Sequence, residues 1–224
     1  MAVSPASSQS TRDALIRTAL ARFGEKGYEA TSTREIAAGA KANIGSIAYH
    51  FGGKAGLRRA CADYIVGTLR TAIVARVAGE PIDENTTPEA ARARLLEGIE
   101  TFIAFLTSRN EVEAIVRFML REMTDPSAAL DLIYSDIIGP THRHLCRLWA
   151  VATGTKEESH ETMLTVFAMM GQALYFRIAG EVVLRRMTWD KVGPAETREI
   201  AEMLKSNLSA VLDHQTNRNR KPPS

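Results

Sequence analysis

Long hydrophobic runs are missing from this chain. Of its 224 residues 45% are apolar, yet no stretch approaches the ~18 uninterrupted apolar residues of a membrane-spanning helix. No membrane partner is expected. The N-terminal residues lack the apolar core of a secretory signal, so a cytoplasmic product is expected. Cysteine is scarce. Cys61 and Cys146 cannot build a disulfide framework and read as reduced, buried thiols. Eight Pro and 15 Gly are too few for a collagen-like or broadly disordered chain. Alternating runs of β-branched residues are absent, which argues against a sheet protein. HExxH, CxxC and P-loop motifs are absent too, and neither cofactor nor metal is expected. His142, His144 and Cys146 come nearest to a metal cluster, but neighbours two apart on a helix point to different sides. Glu157, Glu158, His160 and Glu161 read as a solvated helix start.

What is present is charge asymmetry and helical periodicity. The formal net charge is only +2, but residues 1–60 carry +5 and the remainder −3. A basic N-terminal quarter on a mildly acidic body suggests an anion-binding module, with nucleic acid the commonest partner. Ala14, Leu15, Ile16, Ala19, Leu20 and Phe23 make one broad helical face, which Gly24 and Gly27 are expected to stop. Ser32 with Glu35 forms a capping box for a short second helix through Ile36, Ala37 and Ala40. Asn43 caps a third, Ile44 to Phe51, broken by Gly52-Gly53. Lys54 opens a long helix towards Ala78.

Further helices are expected from Pro88 to Thr107, Glu111 to Met123, and Ser127 to Val151 with an interruption at Gly139-Pro140. Two more run from Lys156 to Met187 and Pro194 to His214. The fold class is therefore all-α. The expected organisation is a disordered tail at 1–9, a helix-turn-helix domain at 10–56, a C-terminal helical domain at 57–216, and a basic tail at 217–224 whose Arg218, Arg220 and Lys221 are solvated.

Three short helices with a tight turn between the second and third match the geometry by which a helix-turn-helix lays its second helix in the major groove. Gly45 costs a short helix about 1 kcal/mol against Ala, and close approach of a phosphate or base is one reason to keep it. The segment resembles the DNA-binding domain of TetR/AcrR-type transcriptional regulators. The matching words are Ala19-Leu20-Ala21-Arg22-Phe23-Gly24-Glu25-Lys26-Gly27-Tyr28, Ala30-Thr31-Ser32-Thr33-Arg34-Glu35-Ile36-Ala37, Asn43-Ile44-Gly45-Ser46-Ile47-Ala48-Tyr49-His50-Phe51 and Gly53-Lys54. The C-terminal part looks most like the CecR-type branch, through Phe118-Met119-Leu120-Arg121-Glu122, Ile138-Gly139-Pro140 and Gly171-Gln172-Ala173-Leu174. Two positions depart from the family pattern. Lys41 stands where Gly is usual after the second helix. Ala48 stands where a Tyr hydroxyl commonly reaches a phosphate, and it would sit instead against a thymine methyl, as would Ile44.

The resemblance implies a double-stranded DNA operator as partner, with Ser32, Thr33, Arg34, Tyr49, His50 and Lys54 on the phosphate backbone. Asn43 caps the recognition helix beside Ile44, Gly45, Ser46 and Ala48, which face the bases. It also implies a homodimer through the last two helices and a cavity for a small, apolar or aromatic effector. The candidate ligand residues are Phe118, Arg121, Glu122, Tyr134, His142, Tyr175, Phe176 and Arg177, polar or aromatic groups in otherwise apolar helices. The implied function is a repressor released from a palindromic operator by ligand. A nucleic-acid binder without effector response and a helical-bundle enzyme are the alternatives.

Overall fold

The computed structural model describes residues 5–74, 81–108 and 111–220, and every described element is helical. The helices are α1 (Pro5–Lys26), α2 (Thr33–Gly39), α3 (Gly45–Phe51), α4 (Lys54–Leu69), α5 (Pro88–Thr107), α6 (Glu111–Thr124), α7 (Ala128–Ile133), α8 (Gly139–Thr153), α9 (His160–Ile178), α10 (Gly180–Met187) and α11 (Pro194–Arg220). π-helical turns follow α4 (Arg70–Val74) and α7 (Tyr134–Ile138). The second π turn occupies the expected interruption. Pro140 has no N–H to give the Asp136 carbonyl, so the α-helical ladder stops and restarts at Gly139.

The chain forms two compact units. One comprises Met1–Leu69 and Arg109–Ile137, the other Arg70–Ser108 and Ile138–Ser224. This division differs from the expected boundary at residue 56, because α4 and the α6–α7 segment share a core with the first three helices. In that unit α1 buries Leu15, Ile16, Ala19, Leu20 and Phe23 against α6, which contributes Ile115 and Phe118, and α4, which contributes Leu57, Cys61 and Ile65. Gly24 does not end α1. A Cβ there would lie 3.0 Å from Arg117 Cβ and 3.1 Å from the Phe118 nitrogen, so its bare backbone lets α6 approach. Gly27, at φ 84°, is where the helix stops.

In the second unit Ala91, Leu95, Cys146, Leu148, Trp149, Val166, Leu208 and Leu212 form one core. Trp149 Nε1 donates to the buried Gln215 amide oxygen, so its polar edge is satisfied inside. The expected single stretch from Lys156 to Met187 is two helices. Ser159 caps α9, accepting from the Thr162 amide, and the axis bends by 73° between α9 and α10. Among the described residues no single helix is long and apolar enough to cross a membrane, although the bent α9–α10 pair meets the test by length and composition.

Both tails depart from expectation. Residues 5–9 are helical within α1, and Gln9 donates to Asp13 one turn on. At the other end α11 continues past His214 to Arg220. There Arg218 pairs with Glu161 at 2.9 Å and Asn219 donates to the Thr153 carbonyl at 3.0 Å. The expectations for residues 1–4, the end of the fourth helix at 75–80, and residues 221–224 lie outside the described residues.

Candidate nucleic-acid interface

The turn between α1 and α2 is fixed by Thr31. Its buried hydroxyl donates to the Gly27 carbonyl at 2.7 Å and lies 3.2 Å from that of Arg22. Ser32 then caps α2 by accepting from the Glu35 amide at 3.1 Å. The Glu35 carboxylate does not complete the expected box. It pairs with Lys26 at 2.6 Å and Arg22 at 3.6 Å instead. The hydrogen bond from Lys26 holds its carboxyl below the ordinary range. Ile36 and Ala37 bury the inner face of α2. Thr33 is half-buried and Arg34 exposed at its start.

Lys41 takes the left-handed conformation, φ 54°, that the turn into α3 requires, so the departure from glycine leaves the backbone path intact. Asn43 Oδ1 accepts from the Gly45 amide at 2.8 Å and starts α3. Ile47 is the buried anchor of α3, and Gly52, at φ 70°, ends it. The other side of α3 is open. Tyr49 is 83% exposed and Ile44 49%. Gly45 and Ala48 are also exposed and Ser46 is half-buried. His50 lies between Tyr49 and Phe51, ring centroids 4.9 and 5.9 Å away. Lys54 opens α4 with its ammonium 4.2 Å from the centre of the Tyr28 ring. The eleven expected DNA-facing residues thus occupy one short stretch of helix starts and the outer side of α3.

The eight expected ligand residues are divided between the units. Phe118, Arg121, Glu122 and Tyr134 belong to the first, and His142, Tyr175, Phe176 and Arg177 to the second. Phe118 is core, 6.4 Å from the Phe23 ring. Arg121 donates to the Glu25 carbonyl at 3.1 Å, satisfying an acceptor in the last turn of α1. Glu122 is buried and pairs with Arg58 at 2.7 Å. Tyr134 is exposed. His142 is buried, with its Nε2 3.2 Å from the Met163 carbonyl and its ring stacked on Phe167 at 3.8 Å. Tyr175 is exposed, while Phe176 and Arg177 are half-buried. Sequence reasoning misses the Arg58–Glu122 pair. The interruption of the apolar Phe118-Met119-Leu120 run singles out Glu122, but nothing local points to a partner 64 residues away.

An open recognition helix anchored by one buried isoleucine, with cations at neighbouring helix starts, defines a helix-turn-helix DNA-binding protein. A family model for bacterial regulatory proteins of the tetR family matches residues 15–61. One for the C-terminal domain of the HTH-type transcriptional dual regulator CecR matches residues 91–214. The chain is 34% identical to CecR of Shigella flexneri over 201 residues, 88% of this chain and 89% of that protein. It therefore belongs to the TetR family, with a C-terminal domain of the CecR type, and is a DNA-binding transcriptional regulator rather than an enzyme. Solved structures share the fold at low identity. A crystal structure of AibR with isovaleryl coenzyme A and operator DNA superposes with a TM-score of 0.65 at 19% identity, covering 88% of this chain and 97% of AibR. A TetR-like regulator from Rhodococcus sp. RHA1 superposes at 0.63 and 19% identity, covering 91% and 96%.

Proposed function

We propose that the protein is a cytoplasmic, homodimeric repressor that leaves a palindromic operator when a small apolar or aromatic molecule binds its C-terminal unit. The observation that carries this reading is the outer side of α3. A short helix that leaves Tyr49 and Ile44 in water, while only Ile47 is fully buried, is built for a surface other than its own core. Ile44, Gly45, Ser46 and Ala48 face the bases, beside the cap residue Asn43. Ser32, Thr33, Arg34, Tyr49, His50 and Lys54 bind phosphates. Two copies of α3 then read major grooves about 34 Å apart.

The dimer is supported by α9. Leu164, Phe167 and Ile178 remain exposed along it, while Val166 and Ala173 face the core. With Met203 of α11 they offer an apolar seam for a second copy. His142, Tyr175, Phe176 and Arg177 are the ligand candidates retained in the second unit. Phe118, Arg121 and Glu122 are assigned to the packing of the first. A ligand that lowers operator affinity a hundredfold needs about 2.7 kcal/mol of differential binding between the two states.

The test is selection of sites from random duplex DNA by the full-length protein, followed by fluorescence anisotropy with excess nonspecific competitor. The expected result is a palindromic consensus bound by two protomers, and release from it in a screen of apolar and aromatic compounds. Binding that vanishes with competitor would overturn the operator reading. Selective binding that no compound relieves would favour a nucleic-acid binder without effector response.

A further inference from the structure

The most deeply buried carboxylate described in the first unit lies far in sequence from every DNA-facing residue, and both its oxygens are engaged. Glu122 on α6 is 2% exposed. Oε1 accepts from Arg58 Nε at 2.7 Å, and Oε2 accepts from the Ser127 hydroxyl at 2.6 Å. Arg58 lays its guanidinium on the Tyr28 ring, 4.6 Å from the centroid. The same ring holds the Lys54 ammonium at 4.2 Å, and Lys54 Nζ lies 3.5 Å from the Glu29 carbonyl oxygen. Tyr28 and Glu29 form part of the connection from α1 to α2. An unbroken chain of contacts therefore runs from a buried carboxylate on α6 to the start of α4 and the entry to α2.

The electrostatics give that chain a direction. Lys54 and Arg58 stand four apart on α4, where like charges repel, and both are drawn to one aromatic ring. Two bare cations on one ring repel each other, which weakens the hold on both. The Glu122 carboxylate neutralises Arg58, so Lys54 shares the ring with an ion pair. Ser127 holds the second oxygen and also caps α7 by accepting from the Ala129 amide, which keeps the carboxylate from turning away. We propose that Glu122 is a positioning residue for DNA binding. By fixing Arg58 against Tyr28 it holds Lys54 where its ammonium meets a phosphate. The proposal rests on the operator reading above.

The test uses full-length protein and an operator obtained by selection. Glu122→Gln removes the charge and keeps the shape. A second variant, Arg58→Met with Glu122→Met, replaces both charges by apolar groups of similar length, which buried pairs commonly tolerate in folding. Affinity is measured against salt for each variant that circular dichroism shows to be folded. Glu122→Gln should bind about tenfold more weakly than wild type and lose about one phosphate's worth of salt slope per protomer, as Lys54→Ala should, whereas the double Met variant, which removes the competing cation with its counter-charge, should keep the wild-type slope. Adding Lys54→Ala to Glu122→Gln should cost nothing further, because the contact is already lost. A purely structural Glu122 would lower the melting temperature and leave the slope alone. Wild-type affinity and slope in folded Glu122→Gln, an equal loss of slope in the double Met variant, or full additivity with Lys54→Ala, overturns the proposal while the operator reading stands. Failure of the wild-type protein to select any sequence overturns both.

Discussion

Lys41 carries a side chain at a backbone position, φ 54°, where a Cβ is crowded. Lys41→Gly should therefore stabilise the first unit by about 1 kcal/mol, seen as a higher urea midpoint by circular dichroism. The thiols respond to pH in a definite sense. Burial pushes Cys146 up from 9.0 to about 11, and burial with the nearby Glu122 charge pushes Cys61 further. An acid whose pKa is raised by folding stabilises the native state at all pH values below its unfolded pKa. That contribution is lost as the pH climbs from about 9 to about 11, because only the unfolded thiol ionises there. The urea midpoint should fall over this range, and less in Cys146→Ala. At this level the sequence is readable wherever a partner is local. Ser32 is legible as a cap and Asn43 as a turn residue just before the N-cap Ile44 of α3, because each bonds an amide two or three residues away. Arg121 and Glu122 stand out in the sequence as candidate ligand groups, and in the structure they meet the Glu25 carbonyl and Arg58. A charge interrupting an apolar run looks the same whether it meets an effector or a distant arginine.

Among the helices, α3 depends on one buried side chain. Ile47→Ala should cost about 2–5 kcal/mol and remove selective DNA binding, measured by thermal melting and anisotropy together. Tyr49→Ala should leave the melting temperature within about 1 °C, since the ring is 83% exposed, yet weaken DNA binding and flatten its salt dependence. On α9, Leu164 is 68% exposed and projects from the proposed seam. Leu164→Glu should shift sedimentation equilibrium towards monomer without reducing helix content. Helix starts and stops are legible from Ser, Asn, Gly and Pro because capping is short-range chemistry. The bend between α9 and α10 is not. Ile178, Ala179, Val182 and Val183 keep an apolar helical face across Gly180, and that pattern carries no record of a change in axis. Gly24 misleads for the complementary reason. Its lack of a side chain serves the neighbouring α6, a fact invisible within α1.

For the molecule as a whole, the boundary between binding head and body cannot be read along the chain. Residues 109–137 enter the first unit from the second and return to it, so the three-dimensional division cuts the sequence three times. Composition marks only residues 1–60 of the head by positive charge, because residues 109–137 carry more acidic than basic side chains. It cannot mark α6, which gives the head a buried apolar face, the Glu122–Arg58 ion pair and the Arg121 hydrogen bond to Glu25. A truncated chain ending at residue 69 would expose Phe23, Leu20 and the inner side of α4. It should therefore bind DNA more weakly than the full chain and show a broad, weakly cooperative melt by circular dichroism.

The placement of tryptophan has a spectroscopic consequence. The chain has two, Trp149 and Trp189, both in the second unit. Excitation at the red edge, where tyrosine does not absorb, therefore addresses the body alone and leaves the DNA-reading head dark. Trp149, enclosed and hydrogen-bonded to Gln215, should emit to the blue, and the half-buried Trp189 further to the red. The protein carries its own label for events in the body, and a compound that reorganises that core will change the colour of the emitted light without any dye attached.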